Sequence, residues 1–590
     1  MINLVTTRDQ KYWPKEGENI LMGPWCLPKN VVFDNHYNFR MIPPLFNESN
    51  REEVIQEIYR QYENMLHVVT QILNAYHNVL YSKRYWRILL GPYLFSFTNV
   101  IYERFVKINK ALEFYSDLKL PILGKSCFVD IQDYNDFSGR IGADDLYNLQ
   151  LITRIICIIK KGNNNFYYIN EVNKNSRILT TFKRDNFNFF SRIRRKLYKN
   201  LNSFFSKRSS VLLYSSYLPE LALAKLEIYS KGKISHFYPM LEDSVYYKKD
   251  ESSRKNLLNI ACLYSKESDF LNIALKILVD EIPTSFIECY KQKQQQTDEI
   301  FRSFAPKKIG SAMGWYNNDN FTMWAAQQSE NGVELIGLQH GGNYGILKNH
   351  FSTIHELKIS DIYYTWGWTN ALKTCVPVPV SISLNVTQNT CNDKSILFVT
   401  TEHAIYYTDF LITPEDSFEY TRNQLRFIES CSKKILSYLN FRLYSDKPYW
   451  PIDEKLKKDF PKLNFDKKKK SFIETLSSCK LYVCDHLSTT YIQSLEINKP
   501  TILFWDPKKT VVNNQAKPFF DMLRKVNILH DTPENAAKWI KEVYDTLDDW
   551  WLSDRCQSAV NTFCEQFAKR SSTPIKDWSS ALILKGKNLK

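Results

Sequence analysis

The chain has 590 residues, of which 44% are hydrophobic, 14% aromatic and 24% charged, and its formal net charge is +15. This composition is too apolar and aromatic for a disordered protein, and the length exceeds the roughly 250–300 residues at which one core stops growing, so we expect two or more domains. The positive charge favours an anionic partner: a nucleotide or phosphate donor, an acidic glycan, an anionic membrane or nucleic acid.

The cysteines and the first residues indicate a reducing, cytosolic location. The 12 cysteines are scattered, and no Cys-x-x-Cys pair marks a zinc or disulfide framework. Residues 1–20 lack a basic region followed by an apolar one, and the most apolar long stretch, residues 85–102, is interrupted by Arg87, Pro92 and Asn99. The sequence therefore predicts no secretion signal and no membrane-spanning helix.

The first part of the chain is predicted to contain one buried strand followed by long helices. The run ENILMGPWCLP is apolar up to a Gly-Pro break, which indicates a strand that leads into a loop. From Arg51 to about Ala111, apolar residues recur every three or four positions, which predicts helices that pack on a sheet. Pro92 is expected to kink or divide the second helix.

Residues 181–208 are both basic and aromatic. In the run TFKRDNFNFFSRIRRKLYKNLNSFFSKR, lysines and arginines alternate with phenylalanines, and Asp185 is the one acidic residue. A solvated connector, a segment lying on an anionic membrane surface and a nucleic-acid-binding segment are all compatible with this pattern. As a partner for this segment we retain the anionic membrane surface, and we expect no nucleic acid.

From about Ser209 onward, strands and helices alternate, which is typical of a parallel sheet covered by helices. A Pro- and Asn-containing stretch at residues 376–393 reads as a linker, and a second alternating unit follows it. We therefore predict an α/β protein with two Rossmann-like domains and extra N-terminal helices. The predicted divisions are residues 1–375, the linker 376–393, residues 394–555 and a C-terminal helical tail, residues 556–590.

The first candidate site is the run Gln339-His340-Gly341-Gly342. The preceding VELIGL predicts a buried strand, so the run falls beyond the carboxyl end of that strand, where open α/β sheets bind ligands. Glycine permits a sharp turn or a close approach of the backbone to a substrate, while Gln339 and His340 supply directional hydrogen-bonding groups. A tight turn beside a core histidine is the alternative interpretation.

Metal and several enzyme chemistries fit the sequence poorly. His350, His355 and Glu356 follow the glycines, but their spacing matches no metal-binding motif, so we expect no metal. The chain also lacks the Gly-x-Ser-x-Gly elbow, the P-loop and a Gly-x-Gly-x-x-Gly after the first strand. Common hydrolases, P-loop enzymes and nicotinamide dehydrogenases are therefore disfavoured.

The second candidate site is the polar run after the strand predicted at KLYVC. Ser488, Thr489 and Thr490 stand where a helix is expected to begin. The first turn of a helix offers free N–H groups and a favourable dipole to a phosphate, and these hydroxyls would add to it. Serine and threonine are also ordinary helix N-caps, so a purely structural role stays open.

Two further residues stand at predicted junctions beyond strands. Arg442, in FRLYSDKPYW, could present a fixed cation to a phosphate or carboxylate, or it could be a surface arginine. Asp319, in IGSAMGWYNNDNFTMWAA, either caps the following helix or, if it faces a cleft, acts as a nucleophile or base.

Several stretches together resemble one family, the transferases encoded in bacterial O-antigen and surface-polysaccharide loci. They occur in order along nearly the whole chain: LVTTRDQKYWPKEGENILMGPWCLP, RYWRILLGPYLFSFTNVIYERF, MWAAQQSENGVELIGLQHGGNYG, HELKISDIYYTWGW and DHLSTTYIQSLEINKPTILFWDP. More distantly, the Gln-His-Gly loop with the Ser/Thr-rich helix start is similar to transferases that add Kdo or related ulosonic acids from CMP-activated donors.

The resemblance implies a metal-independent glycosyltransferase of the GT-B type, in which two Rossmann-like domains face a cleft. The donor nucleotide would be held by residues 394–555, the sugar and acceptor would lie on the side of residues 1–375, and no cofactor is needed beyond the nucleotide-sugar substrate. The implied catalytic residues are Asp319, as the nucleophile of a retaining reaction, with His340 and Glu356. The implied donor-binding residues are Gln339, Gly341, Gly342, Tyr344, Arg442, Ser488, Thr489, Thr490 and Gln493.

This chain departs from the family pattern at two places. Gln493 stands where the family helix is expected to carry a glutamate, and Arg442-Leu443 stands where the Kdo enzymes show a His-Pro pair. The leading hypothesis is transfer from a CMP-ulosonic acid to a lipid-linked or oligosaccharide acceptor in the cytoplasm, at the inner face of the membrane. A nucleotide-hexose donor and a non-catalytic glycan- or membrane-binding assembly factor are the alternatives.

Overall fold

The computed structural model describes residues 2–28, 39–47, 49–159, 165–170, 206–237, 247–264, 269–370, 374–381, 394–446 and 448–583. Within these ranges the chain forms one four-stranded and two six-stranded sheets. Neighbouring strands in every sheet run parallel, and α-helices lie in most of the connections between them. The predicted α/β class with parallel sheets is confirmed. Most of residues 181–208 and of the linker 376–393 lies outside the described residues.

The N-terminal sheet contains β1 (Ile2–Val5), β2 (Glu18–Leu21), β3 (Leu118–Leu123) and β4 (Phe166–Ile169), in the order β2-β1-β3-β4. Its β2 is the strand predicted at ENILMGPWCLP, whereas the rest of this sheet was not predicted. Four helices accompany it: α1 (Arg51–His77), α2 (Lys83–Phe114), α3 (Tyr134–Ala143) and α4 (Asp145–Ile159).

Helix α2 continues through Pro92, which therefore does not divide it. A proline removes one backbone hydrogen bond and crowds the preceding turn, so an isolated helix would break there. Most of α2 is buried, including residues 85–95 without a gap, and packing on all sides holds the helix together across the proline.

The middle sheet has the order β10-β9-β8-β7-β5-β6. Its strands are β5 (Val211–Tyr214), β6 (Ile234–His236), β7 (Lys308–Ser311), β8 (Glu334–Leu338), β9 (Ile362–Thr365) and β10 (Cys375–Pro377). Its helices are α5 (Glu220–Tyr229), α6 (Glu251–Tyr264), α7 (Asp269–Glu281), α8 (Tyr290–Phe301), α9 (Gly314–Asn317), α10 (Asp319–Glu330) and α11 (Phe351–Ile359).

The C-terminal sheet has the order β13-β12-β11-β14-β15-β16. Its strands are β11 (Ile396–Val399), β12 (Leu439–Arg442), β13 (Asn464–Phe465), β14 (Leu481–Cys484), β15 (Thr501–Phe504) and β16 (Leu529–His530). The helices of this part are α12 (Pro414–Ser430), α13 (Lys433–Tyr438), α14 (Ile452–Asp459), α15 (Phe472–Ser478), α16 (Thr489–Glu496), α17 (Lys517–Lys525), α18 (Pro533–Val543), α19 (Leu547–Trp551), α20 (Asp554–Phe567) and α21 (Pro574–Ile583).

Both six-stranded sheets are doubly wound. Counted from its own first strand, the C-terminal sheet has the order 3-2-1-4-5-6, and the middle sheet begins 2-1-3-4. The direction in which successive strands are added to the sheet therefore reverses between β11 and β14 in the C-terminal sheet and between β5 and β7 in the middle sheet. Ligands of such sheets bind beyond the carboxyl ends of the strands at this reversal. The strand order thus marks residues 215–217 and 312–319 in one sheet, and 400–403 and 485–488 in the other.

The last helix of the described chain returns to the middle sheet. Trp578 and Leu582 of α21 are buried among side chains of β5 and β8, the Trp578 indole donates to the carbonyl of Pro379, and the Tyr364 hydroxyl donates to the carbonyl of Ala581. Helix α20, by contrast, packs in the core under the C-terminal sheet. The prediction was a single helical tail from residue 556 onward, without this division of the C-terminal helices.

No helix in the described ranges combines the length and the hydropathy that a bilayer-spanning segment needs.

Candidate functional site

The two candidate sites predicted from the sequence are in direct contact. A Cβ atom added at Gly342 would lie 2.0 Å from the carbonyl oxygen of Ser488, and one at Gly341 would lie 3.6 Å from Oγ1 of Thr489. The Tyr491 hydroxyl also donates to the carbonyl of Gly342 at 3.2 Å. The chain thus needs glycine at 342 because a backbone segment from the other sheet occupies the place of a side chain.

The loop after β8 continues along the C-terminal sheet. Leu347 forms an antiparallel bridge with Val512, and the Asn513 amide N–H donates to the carbonyl of Ile346 at 2.8 Å. The Asn513 side chain donates to the carbonyl of Gly345 at 2.9 Å. Residues that follow β8 therefore contact residues that follow β14 and β15. The carboxyl edges of the two doubly wound sheets face each other.

Gln339 holds this loop in shape. Its Nε2 donates to the carbonyl of Gly341 at 2.9 Å, and its Oε1 accepts from the Trp366 amide and the Trp368 indole, both at 2.8 Å. The side chain is buried. Its hydrogen bonds link the end of β8 to the end of β9, so in this structure Gln339 positions the glycines.

Glu356 lies at the centre of a buried cluster of tyrosines. Its Oε1 accepts hydrogen bonds from Tyr316 and Tyr344, both at 2.7 Å, and its Oε2 accepts one from Tyr363 at 3.0 Å. Burial raises the pKa of Glu356 to about 8, and the three hydroxyl donors offset part of that increase. This carboxyl group therefore changes its protonation within the range at which enzymes work.

His340 is connected to Glu356 through Tyr344. Its Nε2 lies 2.8 Å from the Tyr344 hydroxyl, and its Nδ1 lies 4.0 Å from Oε1 of Glu356. Burial lowers the pKa of His340 to about 4, so the imidazole is neutral at pH 7. Two of the three predicted catalytic residues thus share one hydrogen-bond chain, and Tyr344, predicted as a donor-binding residue, is its middle member.

Asp319 lies apart from this chain. It is the first residue of α10, Asn318 caps the helix, and Oδ2 of Asp319 forms an ion pair with Lys293 at 2.6 Å. Asp133 is the other charged residue near Asp319. Its pKa is raised mainly by burial and to a smaller extent by the negative charge of Asp319. Asp319 is therefore engaged at the contact of α10 with α8, and it forms no hydrogen bond with His340 or Glu356.

The helix start beyond β14 has the predicted arrangement. Ser488 is the N-cap of α16, its Oγ accepts from the Thr490 amide at 3.3 Å, and the Ser488 and Thr490 hydroxyls lie 2.9 Å apart. Gln493 follows one turn later and is half-buried. The hydroxyls and the first amides of α16 meet the glycine loop of the middle sheet at this point.

Arg442 ends β12, as predicted, but its charge is already paired. Its Nη1 donates to Oδ2 of Asp466 at 2.5 Å and to the Thr475 hydroxyl at 3.3 Å. The side chain is 13% exposed. This ion pair with Asp466 fixes the arginine between β12 and α15.

A polar recess beside the C-terminal sheet was missed by the sequence analysis. It lies between the loop after β11, the loop after β12 and helix α12. His403 lines it, with both ring nitrogens buried and without hydrogen-bond partners, and burial lowers the His403 pKa to about 3. The run TTEH directly after the strand SILFV could have indicated this recess, because polar residues that follow a strand lie at the carboxyl edge of the sheet.

A second missed feature is the turn after β5. Ser215 and Tyr217 have φ angles of 44° and 66°, which residues with a side chain rarely adopt. The ring of Tyr217 lies 5.9 Å from that of His340, and its side chain is exposed. Strained residues of this kind concentrate at ligand sites. The turn places an accessible aromatic ring next to the His340 chain.

One group of side chains could contribute ligands to a metal. Cys484, Asp485 and His486 each place one potential ligand atom within 4.8 Å of the others. Both carboxylate oxygens of Asp485 already accept hydrogen bonds, from Tyr420 at 2.7 Å and Gln424 at 3.0 Å. Burial lowers the pKa of His486, but Cys484 and Asp485 outweigh it and raise the value to about 10. The hydrogen bonds account for these side chains without an ion.

The strand orders and the facing loops define an α/β protein built on doubly wound parallel sheets whose carboxyl edges meet. A family model described as LIC12162 family transferase matches residues 2–582. The chain therefore belongs to the LIC12162 family of transferases.

Comparison with curated proteins finds no match. Among solved structures, the chain is similar to an alpha,alpha-trehalose-phosphate synthase (UDP-forming) from Burkholderia vietnamiensis. The identity is 8%, the TM-score is 0.32, and the similarity covers 65% of this chain and 100% of that chain. The strand order, rather than this similarity, defines the fold described above.

Proposed function

We propose that this transferase is a glycosyltransferase of the GT-B type, which binds a nucleotide-activated sugar between the carboxyl edges of the middle and C-terminal sheets. The observation that carries the proposal is the contact between Gly342 and Ser488. It joins a loop whose glycines let the backbone approach a ligand closely to a helix start lined with hydroxyls, and both features favour binding of a phosphate. Ser488, Thr489 and Thr490 would hold the donor phosphate, next to Gly341 and Gly342.

The chain His340–Tyr344–Glu356 supplies a route for one proton. In the transfer step, a hydroxyl oxygen of the acceptor bonds to the anomeric carbon of the sugar while the bond from that carbon to the phosphate oxygen breaks. The acceptor proton passes to the neutral His340 and on through the Tyr344 hydroxyl to the Glu356 carboxylate. Because the pKa of Glu356 is about 8, most copies already hold this proton at pH 7, and the chain can take up the acceptor proton only where Glu356 is a carboxylate. That carboxylate then binds the proton far more firmly than an ordinary glutamate would.

Asp319 remains the proposed nucleophile for a retaining variant of the reaction. Its carboxylate would attack the anomeric carbon first and be released by the acceptor in a second displacement. The ion pair with Lys293 orients the carboxylate but engages one of its oxygens. Arg442, whose partner is Asp466, and Gln493 stay donor-binding proposals of the same kind.

For the substrates, the family resemblance supports a CMP-linked ulosonic acid such as Kdo as donor. It also supports a surface polysaccharide or O-antigen precursor as acceptor. A nucleotide-linked hexose is the second donor class. Neither the phosphate site nor the proton chain requires a metal ion or a further cofactor, because the helix start and the hydroxyls supply the stabilisation of the leaving phosphate.

The experiment is a nucleotide panel. Thermal unfolding with CMP, UDP, GDP and TDP should show a concentration-dependent increase in Tm for one nucleotide, because a ligand that binds only the folded state stabilises it. The matching activated sugar should then release its nucleotide when the acceptor is added. No increase in Tm with any nucleotide, together with no release, would favour the non-catalytic assembly factor.

Ser488→Ala tests the site within that experiment. Ser553 provides a matched control, since it is the N-cap serine of α20 and accepts from the Cys556 amide. Each alanine removes a helix cap worth about 1 kcal/mol, so both variants should lose similar stability. Nucleotide release should fall at least tenfold in Ser488→Ala and stay unchanged in Ser553→Ala. Equal activity in the two variants would contradict the assignment of the phosphate site.

We further propose that the protein works in the cytoplasm at the inner face of the membrane, with residues 181–208 in contact with anionic lipid. The described surface of α5 supports this. Leu221 and Ile228 are 56% and 79% exposed, and Lys225 lies between them on the same helix face. Exposed apolar groups mixed with lysines suit an anionic membrane surface.

Vesicle sedimentation tests the membrane contact. The protein should sediment with vesicles that contain phosphatidylglycerol and stay in solution with pure phosphatidylcholine. Ile228→Glu should reduce the bound fraction, whereas Leu263→Glu, at a leucine 70% exposed on α6, should not. Equal binding to both vesicle types would contradict an electrostatic contact.

A further inference from the structure

Arg8 stands at a third ligand-binding edge. It follows β1 of the N-terminal sheet, whose strand order β2-β1-β3-β4 reverses between β1 and β3, so the carboxyl end of β1 is the reversal point of this sheet. Its Nη1 donates to the carbonyl of Tyr449 at 2.8 Å, and its guanidinium carbon lies 5.6 Å from the centre of the Trp450 ring. The arginine therefore bridges the N-terminal sheet and the loop after β12.

The guanidinium of Arg8 is incompletely paired. Its Nε and Nη2 are buried and have no hydrogen-bond partner. Asp145 is the main opposite charge that acts on it, but that carboxylate accepts from the Asp9 amide at 2.8 Å and from the Tyr406 hydroxyl at 2.5 Å. Burial lowers the pKa of Arg8. A buried charge without a matched partner is costly, and an anion that meets the two free donors would offset this cost.

Trp450 connects Arg8 to the polar recess of the C-terminal sheet. It lines the recess, and its indole N–H is buried without a partner. Thr400 and His403 line the same recess, and the Thr400 hydroxyl and both nitrogens of the His403 ring are likewise unpaired. Three side chains that line the recess thus present unused hydrogen-bonding groups, and Arg8 lies beside them against the Trp450 ring. Native proteins leave few buried polar atoms unpaired, so this concentration indicates a ligand.

The one acidic side chain in the recess is compatible with a hydroxyl-rich ligand. Glu402 lines the recess and accepts a hydrogen bond from the Tyr449 amide. Burial raises its pKa, which favours the uncharged form next to an incoming anion. In either form Glu402 can accept a hydrogen bond from a sugar hydroxyl. The exposed ring of Tyr444 forms an apolar wall of the same recess.

We propose that the recess binds an acidic carbohydrate group and that Arg8, from outside the two doubly wound sheets, recognises its negative charge. The charged group is a carboxylate or a phosphate, which Nε and Nη2 can hold together as a fork. Trp450, Thr400 and His403 meet the remaining oxygens. The inference rests on the proposed transferase function and deepens it by assigning a separate binding place to the charged group of an acidic sugar, and it does not involve Ser488 or the glycine loop.

The test compares ligands that differ only in charge. D-glucuronate and D-glucose 6-phosphate are each titrated against D-glucose and followed by ligand-observed NMR. The charged probe should bind about tenfold more tightly than glucose, as expected for a hydrogen-bonded ion pair of about 1.5 kcal/mol. Preference for glucuronate assigns a carboxylate ligand, and preference for the phosphate assigns a phosphate ligand. No preference for either would overturn the proposal.

Arg8→Gln should abolish the preference and leave the weak binding of glucose unchanged, while Arg8→Lys should retain part of it. Arg40→Gln is the matched control, because Arg40 is an exposed arginine that pairs with Glu18 of β2. If Arg8→Gln does not fold, Thr400→Val provides the second variant and should weaken all three sugars. Unchanged discrimination in the folded variant would contradict the role of Arg8.

The nucleotide panel separates this inference from the proposed function. An Arg8→Gln protein that keeps its nucleotide-dependent increase in Tm but loses charge discrimination supports the recess and leaves the transferase proposal intact. A wild-type protein that binds nucleotide and shows no charge discrimination overturns the recess alone. A wild-type protein that prefers the charged sugars but shows no increase in Tm with any nucleotide overturns the transferase proposal alone.

Discussion

At the scale of single residues, Glu356 is a carboxyl group whose protonated form is favoured more by its buried surroundings than it would be in water. Three tyrosine hydroxyls hydrogen-bond to it, yet its pKa is about 8 because burial disfavours the charged form. A purely structural acid would be better replaced by an amide, which makes the same number of hydrogen bonds without a charge. The proton chain to His340 requires a titratable group at this position.

Glu356 should make the protein less stable as pH rises. Its pKa is about 8 in the folded chain against 4.5 for an ordinary glutamate. Between these values the folded chain holds a proton that the unfolded chain has lost, so raising the pH favours unfolding, by a few kcal/mol at most. In Glu356→Gln this loss should disappear, since the amide stays neutral and can bond to all three tyrosines.

The measurement is Tm between pH 5 and pH 8 for the wild-type chain, Glu356→Gln and the surface control Glu53→Gln. Buried histidines such as His340, whose pKa is about 4, have the opposite effect: they lower the stability of the folded chain as the pH falls below 6.5. They are common to all three proteins, so the difference between profiles isolates Glu356. Parallel profiles for wild type and Glu356→Gln would show that the carboxyl group has an ordinary pKa.

The two adjacent glycines of the loop after β8 should respond differently to the same substitution. A Cβ at Gly342 would lie 2.0 Å from a backbone carbonyl oxygen, whereas the nearest atom to a Cβ at Gly341 is a Tyr344 ring carbon at 3.4 Å. Gly342→Ala must push the two sheets apart and should cost about 3 kcal/mol or more, while Gly341→Ala should change stability by less than about 1 kcal/mol. Urea unfolding measures both. Equal costs would mean that the sheets do not meet as described.

At the scale of elements, the contact between α2 and α11 shows packing prevailing over helix propensity. Gly91 and Pro92 stand together inside α2, where each weakens an isolated helix. A Cβ at Gly91 would lie 2.6 Å from the His355 ring of α11, so glycine lets the two helices approach closely. His355 is buried, with both ring nitrogens unpaired. The close approach therefore positions α11, which carries Glu356.

Gly91→Ala tests which effect is larger. Helix propensity alone predicts stabilisation by about 1 kcal/mol, while overpacking against His355 predicts a cost of about 1–3 kcal/mol. We expect a net loss of stability, measured by urea unfolding. Adding His355→Ala removes the clash, so the double variant should be more stable than the sum of the single changes predicts, by about 1 kcal/mol. Additive changes would show that the two residues do not contact each other.

At the scale of the whole molecule, long-range contacts tie the N-terminal helices to the C-terminal part. Tyr406, Tyr407 and Phe410, between β11 and α12, are buried in the same core as α1 and α2. Lys107 of α2 is buried and donates to Glu415 of α12 at 3.0 Å. Removing one partner would leave a buried charge unpaired, so this contact stabilises the packing of the N-terminal helices on the C-terminal part.

Much of this arrangement could be predicted from the sequence because the evidence was local. The polar runs after β8 and β14 follow apolar strands, so each could be placed at the carboxyl edge of its own sheet. That the two edges meet, at Gly342 and Ser488, was implied only by the resemblance to two-domain glycosyltransferases. The N-terminal sheet was not, since β1 has four residues and its neighbour β3 begins at Leu118. Strands this short, with partners this distant, leave no periodic pattern.

The site residues show the same limit. The tyrosines around Glu356 come from three different segments, and nothing near Glu356 in the sequence marks Tyr316 as its partner. Arg442 was predicted as either a ligand-binding cation or a surface arginine, and Asp319 as either a helix cap or a catalytic group. Each instead has an ion-pair partner more than twenty residues away, Asp466 and Lys293. Pairing of charges depends on tertiary distance, which local patterns do not contain.

The return of α21 to the middle sheet leads to a prediction about cooperativity. Residues 565–583 join both sheets: the carbonyls of Glu565 and Gln566 lie against Gly367, and Trp578 fills the core beneath β5 and β8.

Trp578→Ala should cost about 3–5 kcal/mol, since it empties a fully buried indole site. The loss falls on the middle sheet, because the C-terminal sheet packs on α20 instead. We expect one unfolding transition for the wild type and two for Trp578→Ala in calorimetry, with the earlier one belonging to the middle sheet. Trp539→Ala, at a half-buried tryptophan of α18, is the control and should keep one transition. If Trp578→Ala unfolds in one step at a lower temperature, the contacts through Lys107, Gly342 and the segment before α12 are strong enough to make the sheets a single cooperative unit without α21.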